Sequence, residues 1–316
     1  MEVYGADNNT ENNRPNNETK AGFFAKSEIN LETPPWEKIC FFLTGFIGLR
    51  VVSLILSAIF RPLVSNSVMS SALANALLML LCYGLTAGGF ILFLFFDKRK
   101  TYVKVFSGFR DPKTYLFGFA AFAGVLAVNY FFSIIYNLTI PDIYHANANQ
   151  EGITEQVNNY PFIMFFSVVL FAPFVEELTY RIGIVDTIGS KNKYRWLGIV
   201  ISSVVFGMIH FDWNSLINYI QLFLLPAGTE VTIAGKVVSI ADALSYYKQI
   251  VIVEFLNIPV YILPGFIFAF TYAKTGRIST TMFAHMSINF LSFVQMVIQM
   301  VIAKANTGMD FTRYFR

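Results

Sequence analysis

Polar positions fill the first 35 or so residues, and long apolar runs dominate nearly everything after them. A membrane-spanning helix needs about 20 apolar residues at about 1.5 Å of rise each. On that measure the pattern predicts spans near 39–60, 68–96, 115–138, 162–188, 196–211, 250–273 and 280–303. Pro173 should kink the fourth, while Pro259 and Pro264 make the sixth either a kinked helix or a re-entrant piece followed by a helix. Between the fifth and sixth, residues 212–248 mix a short apolar stretch, a turn at Pro226 to Gly228 and an amphipathic stretch from Ala241 to Tyr247. They read as an interfacial excursion.

The predicted fold class is therefore all-α, a polytopic transmembrane bundle of about seven spans plus that excursion. Residues 1–36 form a polar tail expected to be disordered, and 37–138 hold three framework helices. An outer loop covers 139–160, the functional core 161–303, and a C-terminal tail 304–316.

Composition agrees with a lipid environment. Hydrophobic residues make up 55% of the chain and charged residues 14%, against about 25% charged in soluble domains. A net charge of +3, scattered along the chain, gives no footprint for nucleic acid. Cys40 and Cys82 fall inside apolar runs and read as free thiols. The polar, Asn-rich start is not expected to act as a cleavable signal peptide.

Lysine and arginine then set the orientation. Lys98, Arg99, Lys100, Lys104, Arg110 and Lys113 crowd one loop, whereas 139–160 carries neither type. The positive-inside rule predicts a multi-pass protein with a cytoplasmic N-terminus and the loops near 97–113, 190–195 and 274–279 on the same side. Lys304, Arg313 and Arg316 would then lie outside, against the rule.

Ionisable side chains inside the predicted spans change the picture most, since each costs about 2.5–3.5 kcal/mol at a helix centre. Glu176, Glu177 and Arg181 lie within one turn or so of the fourth span. Glu177 and Arg181 share a face at i, i+4 and can pair, while Glu176 points about 100° away and stays unpaired on its own helix. The structural alternative is a polar cluster that only stitches helices together.

Two of the three histidines also lie in apolar helices. His210 stands one turn after Phe206, and His285 one turn before Asn289; the third, His145, reads as solvated loop. A buried histidine that merely bonds a neighbouring helix is the bland alternative for each. Together, though, an acid and a histidine can share a water while a second histidine and an amide supply donors. Peptide hydrolysis asks for that set: a base to activate water and donors for the oxyanion. Glu176, His210 and His285 could instead hold zinc with an open fourth position. Arg50 and Glu254 read as structural or snorkelling residues, and Asn75 and Asn129 as interhelical glue.

These motifs resemble the CPBP family of intramembrane proteases, named for CAAX proteases and bacteriocin processing and also called the Abi family. Its Glu-Glu-x-x-x-Arg, Phe-x-x-x-His and His-x-x-x-Asn motifs match Glu176, Glu177 and Arg181; Phe206 and His210; and His285 and Asn289, in order. The resemblance covers about 161–293 and implies an α-helical endopeptidase acting on a membrane-associated or lipidated protein or peptide precursor. It implies Glu176 as base with His210 as partner, His285 and Asn289 as oxyanion donors, and Glu177, Arg181 and Phe206 in support. A metal-free glutamate mechanism is the expectation, with no cofactor; zinc is the alternative. The stretch 212–248 is longer than the family leads one to expect between its second and third motifs.

No His-Glu-x-x-His, Gly-x-Gly-Asp or Gly-x-Ser-Gly string is present, which argues against the other intramembrane protease classes. Two further readings remain at this level: a non-catalytic scaffold, sensor or immunity protein of the same family, and a proton-coupled transporter. The lipid bilayer and a peptide or lipidated protein are the expected partners, and oligomeric state is not legible.

Overall fold

The computed structural model describes residues 23–27, 34–97, 101–139, 148–226, 228–233 and 236–306. The expectations for residues 1–22, for His145 and for 307–316 lie outside these.

Six helices are long and apolar enough to cross a membrane: α1 (Pro35–Ser65), α2 (Ser71–Phe96), α4 (Pro112–Thr139), α6 (Pro161–Asp186), α9 (Ile240–Thr275) and α10 (Ile278–Asn306). Between them lie the short α3 (Thr101–Ser107) and α5 (Ala148–Asn159). A seventh crossing would join α7 (Arg195–Met208) to α8 (Trp213–Phe223), which meet at 65°. The architecture is an all-α bundle, with one small antiparallel hairpin among the described residues, β1 (Glu230–Ile233) with β2 (Lys236–Ser239), Val231 opposite Val238.

Local chemistry explains many of the boundaries. Pro35 and Pro161 open α1 and α6, where a first-turn residue needs no N–H partner. Ser70 and Ser239 cap α2 and α9 by accepting from Leu73 and Asp242 backbone N–H, each at 3.2 Å. Gly276, at φ 71°, closes α9 in the left-handed conformation that glycine adopts without strain.

The surface is apolar, with Leu54, Phe96, Leu116, Tyr130, Leu138 and Phe162 among its exposed side chains, while Glu177, Arg181, Asp186 and Glu254 are buried. This is the distribution that lipid demands. One helix is set apart by burial. Of the most apolar window of α6, 67% is buried, against 11–28% for the other five, so α6 is the central helix and the rest wrap it.

Wide π turns occupy Phe165–Phe171 and Leu178–Asp186 of α6, on either side of a regular α-helical stretch, Ala172–Glu177. Pro173 stands at the start of that stretch, immediately after the first π segment. The chain thus accommodates the missing proline N–H by changing its hydrogen-bond period.

Several expectations change. The sixth span is one continuous 36-residue helix with both prolines inside it. Side chains engage the carbonyls around them: the Tyr136 hydroxyl donates to Leu256 O, and Asn257 Nδ2 donates to Val253 O at 2.9 Å. The amphipathic stretch 241–247 is the start of this helix, so the excursion shrinks to α8 and the hairpin. The fifth span is broken, because α7 has only 14 residues, about 21 Å of rise. The expected outer loop contains α5.

Part of the tail expected to be disordered is packed. Ala25 N donates to Ala273 O at 3.0 Å, and Ser27 Oγ donates to Asp186 Oδ2 at 2.8 Å. Arg195 Nη1 reaches the other Asp186 oxygen at 2.8 Å, and the Tyr272 hydroxyl donates to Oδ2 at 2.6 Å. Phe24 packs edge-on against Trp196. One buried carboxylate thus ties residues 23–27, α6, α7 and α9 together.

Candidate active site

The first motif sits on the α-helical stretch of α6 and the π turn that follows. Arg181 and Glu177 are both fully buried. Arg181 Nε donates to Glu177 Oε2 at 2.9 Å and Nη2 to Oε1 at 3.2 Å, a two-point pairing. Arg181 Nη1 donates to Ser202 Oγ at 2.8 Å, and that hydroxyl donates to Tyr180 O at 3.2 Å. The guanidinium lies 5.5 Å from the Phe206 ring centre and 5.9 Å from that of Phe268, within cation–π range. Every polar end of the pair is engaged, as burial in lipid requires.

Glu176 takes another direction, toward α1 and α2. Tyr83 on α2 donates its hydroxyl to Glu176 Oε1 at 2.9 Å. A cavity of about 180 Å³ opens beside this carboxylate, lined also by Arg50, Phe46, Thr179 and Tyr180.

His285, from α10, stands between the two acids. Its Nδ1–H donates to Glu177 Oε1 at 3.0 Å, and Nε2 lies 3.8 Å from Glu176 Oε2. A carboxylate only accepts, so the Nδ1 proton is fixed by Glu177 and the ring is turned to present Nε2 to Glu176. Phe268 stacks on this imidazole at 4.9 Å.

Phe206 is the hub of the second motif. Its ring centre lies 5.6 Å from Tyr180, 5.1 Å from His210 and 5.7 Å from His285. It approaches α9 so closely that a Cβ on Gly265 would fall 2.9 Å from Phe206 Cδ1, so glycine is required there. His210 lies just beyond the end of α7, in the turn before α8. Its Nδ1–H donates to Phe206 O at 2.8 Å, which leaves Nε2 as the free acceptor, and Tyr261 stacks on it at 4.5 Å.

The structure thus gathers Glu176, Glu177, Arg181, Phe206 and His285 into one connected cluster from α6, α7 and α10, with His210 joined through Phe206. Asn289 is one turn from His285, but its amide donates to Val168 O, in the first π segment, at 2.8 Å. Among the described residues no hydrogen bond joins Glu176 to His210 or Asn289 to the cluster. Nor do any three His, Cys, Asp or Glu side chains among them gather as a metal site. Glu176, His210 and His285 therefore do not fit a ready-made zinc triad here.

Sequence reasoning missed Tyr83, Ser202, Tyr261 and Phe268. Each is a common residue in an apolar helix, with no motif to mark it. Arg50, read as structural, lines the Glu176 cavity.

Comparison with known proteins bears on the same helices. Residues 158–291 match the family model described as Type II CAAX prenyl endopeptidase Rce1-like. Over 143 residues the chain is 25% identical to "Putative membrane peptidase YdiL" of Bacillus subtilis strain 168, covering 45% of this chain and 41% of that relative. The chain thus spans less than half the length of this curated relative in the match. No solved structure matches.

Proposed function

We propose, from the match of residues 158–291 to the Type II CAAX prenyl endopeptidase Rce1-like family model, that the chain is an intramembrane endopeptidase of the CPBP kind. Its substrate is a membrane-associated or lipidated protein or peptide precursor, and it acts through a glutamate-activated water. The observation that carries this reading is the cluster itself: two carboxylates, an arginine and a histidine from two helices, with His285 Nε2 3.8 Å from Glu176. A purely structural polar knot would be expected to pair both acids. Here Glu177 takes the arginine and Glu176 faces a cavity.

In the proposed reaction the Glu176 carboxylate takes a proton from water while the water oxygen attacks the scissile carbonyl carbon. His210, with Nδ1–H held by Phe206 O, keeps Nε2 free to accept from that water. The carbonyl oxygen becomes an oxyanion, received by His285 and by the second amide hydrogen of Asn289. In that role His285 carries a proton on each nitrogen, and the charges of Glu176, Glu177, Arg181 and His285 sum to zero. Collapse of the intermediate breaks the C–N bond, and the proton on Glu176 passes to the leaving amine. No metal enters these steps. The N-terminus is proposed to be cytoplasmic, from the basic loops around Lys98 to Lys113.

Purified wild type and Glu176→Gln, compared on a membrane-anchored reporter peptide library, test the proposal. Cleavage by wild type and its loss in the variant, with an unchanged melting temperature, is the expected result. Equal cleavage by both would overturn it.

A further inference from the structure

A second cavity lies apart from the proposed catalytic cluster. It holds about 740 Å³ at the α5 end of the bundle, the end that the positive-inside count assigns to the side opposite the basic loops. Two helices, α5 and α10, each turn a polar stripe toward it, and two more each add an asparagine. On α5 the stripe is Glu151, Thr154, Glu155 and Asn158; on α10 it is Ser292, Gln295 and Gln299. These are spacings of three, four and seven residues, one face of a helix. Asn129 of α4 and Asn257 of α9 complete the ring.

The stripe on α10, a helix of membrane-spanning length, is costly unless water or a ligand meets it. Here the demand is specific. Asn129 Oδ1 has no hydrogen-bond partner, so the glue role expected of it leaves an acceptor unused. Glu151 and Glu155 are exposed into this space, and no ion pair joins either to a described cation. Lys304 Nζ donates to Asn158 O at 3.1 Å at the edge of the site. Tyr261 lines the cavity with one face of its surroundings and stacks on His210 at 4.5 Å, so the cavity wall is also the backing of the site.

We propose that this cavity binds a hydrophilic, extended peptide segment carrying a lysine or arginine side chain. Asn and Gln side chains each offer a donor and an acceptor, the same pair that a peptide unit presents, so an amide-lined wall suits backbone better than it suits an acyl chain. Glu151 and Glu155, one turn apart, face the cation. The inference leans on the proteolytic reading only to explain why a peptide comes there. It adds a sequence preference, set at the α5 end, for a basic residue outside the scissile segment.

The test uses the full chain bearing Glu176→Gln, to prevent turnover, in phosphatidylcholine nanodiscs. The probe is a fluorescein-labelled decapeptide of Gly, Ser and Asn with one central Arg, read by anisotropy. Saturable binding is expected, weakened at least about tenfold when the peptide Arg is replaced by Gln and equally when the chain carries Glu151→Gln with Glu155→Gln. The peptide substitution keeps the test independent of how the variant folds. Absence of saturable binding, or equal affinity for both peptides, overturns the inference. Wild type is assayed in parallel on the reporter library: cleavage without Arg-selective binding removes the cavity inference and leaves the protease, and Arg-selective binding without cleavage does the reverse.

Discussion

His285 Nε2 lies 3.8 Å from Glu176 Oε2, while the other nitrogen of the same ring donates to Glu177 at 3.0 Å. The first separation is too long for a direct hydrogen bond and suits a shared water or substrate oxygen. The second fixes the ring. His285→Ala should therefore lower kcat by about 100-fold or more, whereas Glu177→Gln, which leaves an amide that can still accept from Nδ1, should retain part of the rate. Steady-state kinetics on a reporter peptide checks the order of the two effects.

The Glu177–Arg181 pair is fully buried. Removing one partner strands a charge, and Arg181→Ala should cost about 3–5 kcal/mol of stability. Replacing both, as Glu177→Leu with Arg181→Met, should cost much less and yet leave an inactive protein, because His285 loses its anchor. Denaturant unfolding in mixed micelles, paired with cleavage assays, separates the two results.

Tyr83 reaches Glu176 from a helix outside the family match. A hydrogen bond to a charged group is worth about 1.5–3 kcal/mol. Tyr83→Phe should lower kcat by about ten- to a hundredfold with little change in KM, since the hydroxyl touches Glu176, the proposed base, rather than the substrate. A change confined to KM would assign Tyr83 to substrate binding instead.

Asp111, in the loop before α4, is held below its ordinary carboxylate pKa, first by the Lys113 backbone N–H at 2.9 Å and then by its ion pair with Arg277. A carboxyl whose folded pKa is depressed favours the folded state wherever the unfolded carboxyl is ionised, above about pH 4. That contribution disappears as pH falls through the folded value. Asp111→Asn should therefore melt below wild type near neutral pH and converge with it in acid, across a melting series from about pH 3 to 7.

Under the proposed chemistry a strong chelator leaves cleavage intact. Loss of activity on chelation, restored by zinc, would replace the glutamate route with a metal one. The readout is the reporter assay before and after dialysis against the chelator.

The helices and the motif residues were legible because lipid penalises charge. Glu176, Glu177, Arg181 and the two histidines in apolar runs stand out against their neighbours, and the spacing carries the pairing of Glu177 with Arg181. Tyr83, Phe268 and Tyr261 were not legible, since an aromatic residue in an apolar run carries no sign of what it touches. The continuity of α9 was hidden because a proline in an apolar run does not say whether the helix bends through it or stops, and α9 runs on through both. Residues 23–27 were hidden by brevity: two phenylalanines and a serine make no periodic pattern, yet Ser27 finds Asp186. The polar α5 likewise offered no apolar stripe to read.

The break between α7 and α8 changes what this membrane protein must let in. An interrupted helix exposes N–H and C=O groups that oil cannot satisfy. Glu254 answers one of them, accepting from Asp212 N at 3.0 Å, and the Asp212 side chain caps α8. Under the proposed chemistry hydrolysis consumes one solvent molecule per bond cut, and a dry bundle would starve. His210 stands at the interruption itself, so the discontinuity that looks like a flaw in a spanning helix also lies beside the imidazole proposed to hold that water.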